Sequence, residues 1–333
     1  MEPVTTHFPV PQPPVISLLL TVPLLSVPHY QPLEKGNPVY AEKVRQITSK
    51  GYLRLLVIPL LVVFVVFAVI PGATAPLFSL FLPYDEAHPV NPAAAAAMWV
   101  SLIGGGYLMI YASKLSWERL GFNKTHPLRD VATGIGLGVG LLIIVAVLIR
   151  ILGGTTWSWV FGTSAIGPIL VAIIFFAAQG TWEELIYRGY LMPFFSKLWN
   201  DKVSIIATGL LFAAGHALNP GMTVMPVINL VIFGFVFGLL YYRSGSLWLT
   251  GAAHAAWNFS QGFVFGAEVS GNETQGSFLK SIPVEGHQLI SGASFGFEGS
   301  IITSIAGILI IIALTWGWPR ISKGRAQRLS TPQ

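Results

Sequence analysis

IGPILVAIIFFAAQGTWEELIYRGYLMPFF, residues 166–195, decides how this chain is read. Its first half is a run of Ile, Leu, Val, Phe and Ala of the kind that crosses a bilayer, for which about 20 apolar residues suffice. Its second half sets Glu183, Glu184 and Arg188 into the same apolar pattern. A charge in hydrocarbon costs about 2.5 to 3.5 kcal/mol on insertion scales, unless it faces a protein interior or a wet cavity. The stretch therefore predicts a membrane helix with a polar site built into it.

The rest of the chain agrees. Of 333 residues, 53% are apolar and 10% charged, and the mean hydropathy is +0.67, which excludes an ordinary soluble domain. Eight apolar stretches of near-spanning length fall at 53–70, 95–112, 131–152, 166–195, 203–217, 224–242, 247–266 and 301–318. The fold class expected is an all-α polytopic helical bundle of about eight transmembrane helices, occupying residues 51–319. Residues 1–50 read as a proline-rich, flexible cytoplasmic leader and 320–333 as a basic cytoplasmic tail. The leader's apolar run, ISLLLTVPLLSV, is broken by Pro23 and has no basic residue before it, so it reads as an interfacial arm rather than a signal peptide. The absence of cysteine removes disulfides, thiolate metal sites and a cysteine nucleophile.

The net charge of +5 needs no nucleic acid to explain it. Lys and Arg gather before the first stretch, between the second and third, between the fourth and fifth, around Arg243 and in the tail, so that sixteen of the nineteen fall on one side. The positive-inside rule makes that side, with both termini, cytoplasmic. The partners expected are the lipid bilayer and a protein or peptide, with no nucleic acid.

If the fourth and fifth stretches form a hairpin turning at 199–200, Glu183 and His216 lie almost equally far from the turn. At 1.5 Å of rise per residue both sit roughly 20 Å along their helices. His254 and Asn258 on the seventh stretch come to a similar layer. His254 and Asn258 are four residues apart and share a face, as do Phe212 and His216; Glu184 and Arg188 can pair in the same way. Glu183 points about 100° away from Glu184 and is left for another task. A carboxylate in apolar surroundings can take a proton from water, a histidine can share that work, and asparagine and histidine donors can hold an oxyanion. The other readings of the same residues are polar glue between helices, and a transporter or proton relay. His7, His29, His88, His126 and His287 fall in the leader or in loops and read as solvated.

EELIYR at 183–188, FAAGH at 212–216 and HAAWN at 254–258 resemble the EExxxR, FxxxH and HxxxN motifs of the CAAX protease and bacteriocin-processing family of glutamate-dependent intramembrane proteases, which includes the type II CAAX prenyl endopeptidases. All three stand in the family's order on separate apolar stretches, within a core of about 130–318. GASFGFEGS at 292–300 is similar to the family's bacterial members, implying a bacterial cell membrane. The resemblance implies that Glu183 activates water together with His216, and that His254 and Asn258 hold the oxyanion. Glu184, Arg188 and Phe212 would support them, and no metal or other cofactor would take part. The substrate implied is a protein or peptide, prenylated or not, cut near its C-terminus or beside the membrane by a cytoplasm-facing enzyme. Some members of the family are assigned scaffold or immunity roles, so an idle site is a second implication.

Other intramembrane chemistries have little footing. HExxH and GxGD are absent, and Tyr84–Asp85 falls in a loop. Ser260 is near the site only in sequence. A zinc ion held by Glu183, His216 and His254 is compatible with ligand type and ranks second among the enzyme readings.

Overall fold

The computed structural model describes residues 37–317. In chain order its bundle is built from α1 (Pro38–Arg45), α2 (Leu53–Ser79), α3 (Pro92–Ser113), α4 (Pro127–Ile151), α5 (Thr163–Leu198), α6 (Asp201–Gly215), α7 (Val224–Ser244), α8 (Leu247–Phe259) and α9 (Ile301–Trp316). Among the described residues α2, α3, α4, α5 and α7 are long and apolar enough to cross a membrane. The remaining expected spans are helices too, but short ones: α6 has 15 residues and α8 13 before it passes into a π-helical turn at Ser260–Val264. The protein is an all-α, multi-pass membrane bundle, and among the described residues five of the eight expected spans have the length and apolarity to cross a bilayer. Among the described residues one antiparallel pair of strands, β1 (Thr155–Trp159) with β2 (Leu279–Pro283), joins two connections, with Thr155 opposite Pro283.

Outward-facing Leu61, Phe64, Ile144, Leu170, Ile206 and Leu309 are all exposed. Lipid satisfies such side chains where water would not, and the helices keep their backbone hydrogen bonds internal. Helix ends follow local chemistry. Asn91, Asn200 and Ser300 cap α3, α6 and α9 through their side chains, and Gly245 at φ 66° ends α7 in a left-handed turn.

Close approach of backbones positions the centre. A Cβ on Gly138 of α4 would stand 2.3 Å from the Ala253 carbonyl, and one on Gly180 of α5 would stand 2.6 Å from the Ala255 nitrogen. Helix α8 is therefore held between α4 and α5 at a distance only small residues permit. Gly209 and Gly234 do the same for α6 against α7.

The connections rich in Lys and Arg meet at one end of this bundle. Tyr241 donates to the Leu120 carbonyl at 2.9 Å, Tyr242 donates to Asp201 at 3.2 Å, and the Leu247 N–H donates to the Gly121 carbonyl at 2.9 Å. The leader needs a correction here. Residues 1–36 and 318–333, with His7, His29 and the tail, lie outside the described residues, but from 37 on the chain is built into the fold. Helix α1 buries Tyr40, Ala41, Lys43 and Val44, and the Lys43 ammonium donates to Tyr241 Oη at 3.0 Å and to the Gly245 carbonyl at 2.6 Å. Burial pushes that ammonium down to about 7. An amphipathic turn with Tyr and Val on one face has more to gain by docking than by remaining in water.

Candidate active site

The charged stretch of α5 is neutralised from within. Glu184 and Arg188 are both fully buried, and the guanidinium donates to Glu184 Oε1 at 2.8 Å, the i,i+4 pair expected. The other arm of Arg188 donates to the Gly234 carbonyl of α7 at 3.0 Å, and its guanidinium carbon lies 4.7 Å from the centre of the Phe212 ring. The pair thus ties α5 to α6 and α7. Buried charges persist only when partnered this way.

Two imidazoles are then oriented by their Nδ1 atoms. His254 Nδ1 donates to Glu184 Oε1 at 3.1 Å, and His216 Nδ1 donates to the Phe212 carbonyl at 2.9 Å. A carbonyl only accepts, and so does an ionised carboxylate, so each Nδ1 carries a proton and each Nε2 is left for other use. Phe237 stacks on His254 with ring centres 4.9 Å apart and planes 19° off parallel, while Phe212 packs on His216 at 4.8 Å. Both Nε2 atoms turn to the same oxygen, Glu183 Oε2, at 3.8 Å each. That is too long for direct hydrogen bonds, and it is the kind of separation that a bridging water spans. Glu183 Oε2 is buried and makes no hydrogen bond within the described residues.

Asn258 comes to the same place through a residue that no motif marks. Gln179, one turn before Glu183, donates to Glu183 Oε1 at 2.5 Å and accepts from Asn258 Nδ2 at 3.0 Å. All the residues expected at the site, Glu183, Glu184, Arg188, Phe212, His216, His254 and Asn258, are therefore brought together. Sequence reasoning missed Gln179, Phe237 and Glu298. Glu298 reads as an acid in a loop on the side opposite the Lys and Arg, but it accepts from the Trp257 indole at 3.1 Å and from the Ser270 N–H and hydroxyl at 2.7 and 2.8 Å. With His216, His254 and Phe237 it lines a cavity of about 30 Å³, enough for a water. The four-residue spacing of Gln179 from Glu183 was the one available signal for any of the three.

Ser260 does not join the cluster; its side chain lines a different, apolar groove. His88 is taken up by Asp85 at 2.7 Å, whose carboxyl that hydrogen bond holds below its usual range, and His287 donates to the Gly153 carbonyl. Among the described residues no three His, Asp or Glu side chains are grouped as metal ligands.

Residues 165–260, the stretch that carries all three motifs, match the family described as type II CAAX prenyl endopeptidase Rce1-like. The resemblance read from the motifs stands over that stretch. The chain is also 33% identical over 94 residues to the uncharacterized protein YyaK of Bacillus subtilis (strain 168), covering 27% of this chain and 31% of the relative. The matched segment thus spans about a third of that relative's length.

Proposed function

We propose that this protein is an intramembrane endopeptidase in which Glu183 and His216 activate a water molecule for attack on a peptide bond. The family match at 165–260 supports the reaction class, and one observation carries the mechanism: a buried, unpartnered carboxylate oxygen with two imidazole Nε2 atoms equidistant from it. Water held between Glu183 Oε2 and the His216 Nε2 lone pair passes a proton to Glu183 as its oxygen bonds to the carbonyl carbon, and Glu183 returns that proton to the leaving amine as the C–N bond breaks. His254, with Glu184 accepting from its Nδ1, can carry a second proton and donate from Nε2 to the developing oxyanion. Asn258 adds its remaining N–H. Glu184, Arg188 and Phe212 hold the two histidines in place. The substrate is a protein or peptide segment at the membrane, and the end of the bundle that gathers Lys and Arg is the cytoplasmic one.

Purified wild type, Glu183→Ala and His254→Ala are to be incubated in detergent with a peptide library, with and without a chelator. Cleavage by the wild type alone, unaffected by chelation, is the expected result. Cleavage that survives Glu183→Ala removes the base, and cleavage abolished by chelation moves the chemistry to a metal. A folded wild type that cuts nothing favours a binding or immunity role for the same site.

A further inference from the structure

Gln179 connects two residues that the motifs name separately. It sits half-buried on α5, and one amide uses both of its ends: Nε2 on Glu183 Oε1 at 2.5 Å and Oε1 on Asn258 Nδ2 at 3.0 Å. The direction of this chain is not arbitrary. A carboxylate accepts only, so the nitrogen of the Gln179 amide faces Glu183, its oxygen faces Asn258, and the Asn258 nitrogen faces back. Two consequences follow at once. Glu183 Oε1 is occupied, which leaves Oε2 as the oxygen directed to His216 and His254. Asn258 has one N–H committed and one remaining, while its Oδ1 is buried and without a partner.

We infer that Gln179 is a positioning residue of this site: it selects which oxygen of Glu183 meets the water and which way round the Asn258 amide is held. The purpose given to it rests on the proteolytic reading; the geometry does not. A plain structural role, tying α5 to α8, is already filled by the backbone contact of Gly180 with Ala255 and of Gly251 with Thr181. Replacing Gln179 with a side chain of similar size and no hydrogen bonds therefore leaves the helix pair assembled and releases the two polar groups.

The test uses the full-length protein in detergent with Gln179→Leu and Gln179→Glu, and two readouts. On a peptide that the wild type cleaves, Gln179→Leu is expected to lower kcat at least tenfold with KM within twofold and an unchanged melting temperature. Gln179→Glu, which places an acceptor against the Glu183 carboxylate, is expected to lower it at least as far. The second readout is an experimental structure of Gln179→Leu, in which the Glu183 carboxylate and the Asn258 amide are expected to turn away from their wild-type positions. If the wild type cuts no peptide, the protease reading fails and the structure alone decides: turned groups support the positioning role, unmoved groups overturn it. Wild-type kcat in Gln179→Leu, or a loss of activity that merely follows a loss of melting temperature, overturns it as well.

Discussion

The two faces of the α5 and α8 pair differ in kind. On one, Gln179, Glu183, His254 and Asn258 meet, and His254 also lines a cavity of about 30 Å³. On the other lies a groove of about 870 Å³ walled by apolar side chains such as Trp99, Ile135, Phe176, Trp248 and Phe259. The faces are set by helical rotation alone: Thr181 lies about 200° around α5 from Gln179, and Ala256 about 200° around α8 from His254. Between them the backbones touch, at Gly180 against Ala255. The comparison teaches that in a membrane protein size and chemistry separate. A wide apolar groove is what lipid-facing helices leave wherever their side chains do not interlock. A cluster of buried polar groups requires a partner for each charge and is the more specific pointer to function.

The sharpest way to break this contrast is Glu183→Gln. Loss of the base is expected to reduce cleavage by roughly a thousandfold, measured as kcat/KM, with the fold intact. Next is Arg188→Leu, which leaves Glu184 buried without its cation. A loss of about 3 to 5 kcal/mol is expected, read as a lower melting temperature in detergent, and the double variant Glu184→Leu/Arg188→Leu is expected to recover much of it. A smaller effect lies away from both faces, at Lys43. Its ordinary value is 10.5 and its folded value about 7, so between those two pH values the unfolded chain binds more protons and stability rises with pH. The wild-type melting temperature is expected to climb from pH 7 to pH 10, and that of Lys43→Met to stay flatter. The smallest effect is expected from Ile135→Trp, which fills part of the groove from an exposed position on its wall: peptide cleavage within twofold of wild type. A tenfold loss there would mean that the groove carries substrate.

Much of the site was legible because its spacing is local. Glu184 with Arg188, Phe212 with His216 and His254 with Asn258 are each four residues apart, and a helix puts such pairs on one face whatever surrounds it. The cost of buried charge then predicted that these faces turn inward together. Phe237 and Glu298 were not legible, because stacking on His254 and closing the cavity depend on where α7 and the segment before α9 arrive. The spans were less legible. Apolar stretches marked eight; five of the described helices have spanning length and apolarity, α6 is as short as its stretch, and α8 carries His254 and Asn258 before it runs into a π-helical turn. The leader's composition also hid α1, whose docking depends on Tyr241 and Gly245 far along the chain.

By itself the amino-acid sequence determined that this protein lives in a bilayer, which helices carry its charges and which of those charges share a face, because composition and a 3.6-residue period act over one turn at a time. Only the tertiary structure decided that Glu183 presents Oε2, that Gln179 holds the other oxygen, and that the apolar groove lies behind the polar cluster. Those facts depend on how closely α4, α5 and α8 approach, and that distance is set by glycines meeting backbone on a neighbouring helix, an arrangement no single segment contains.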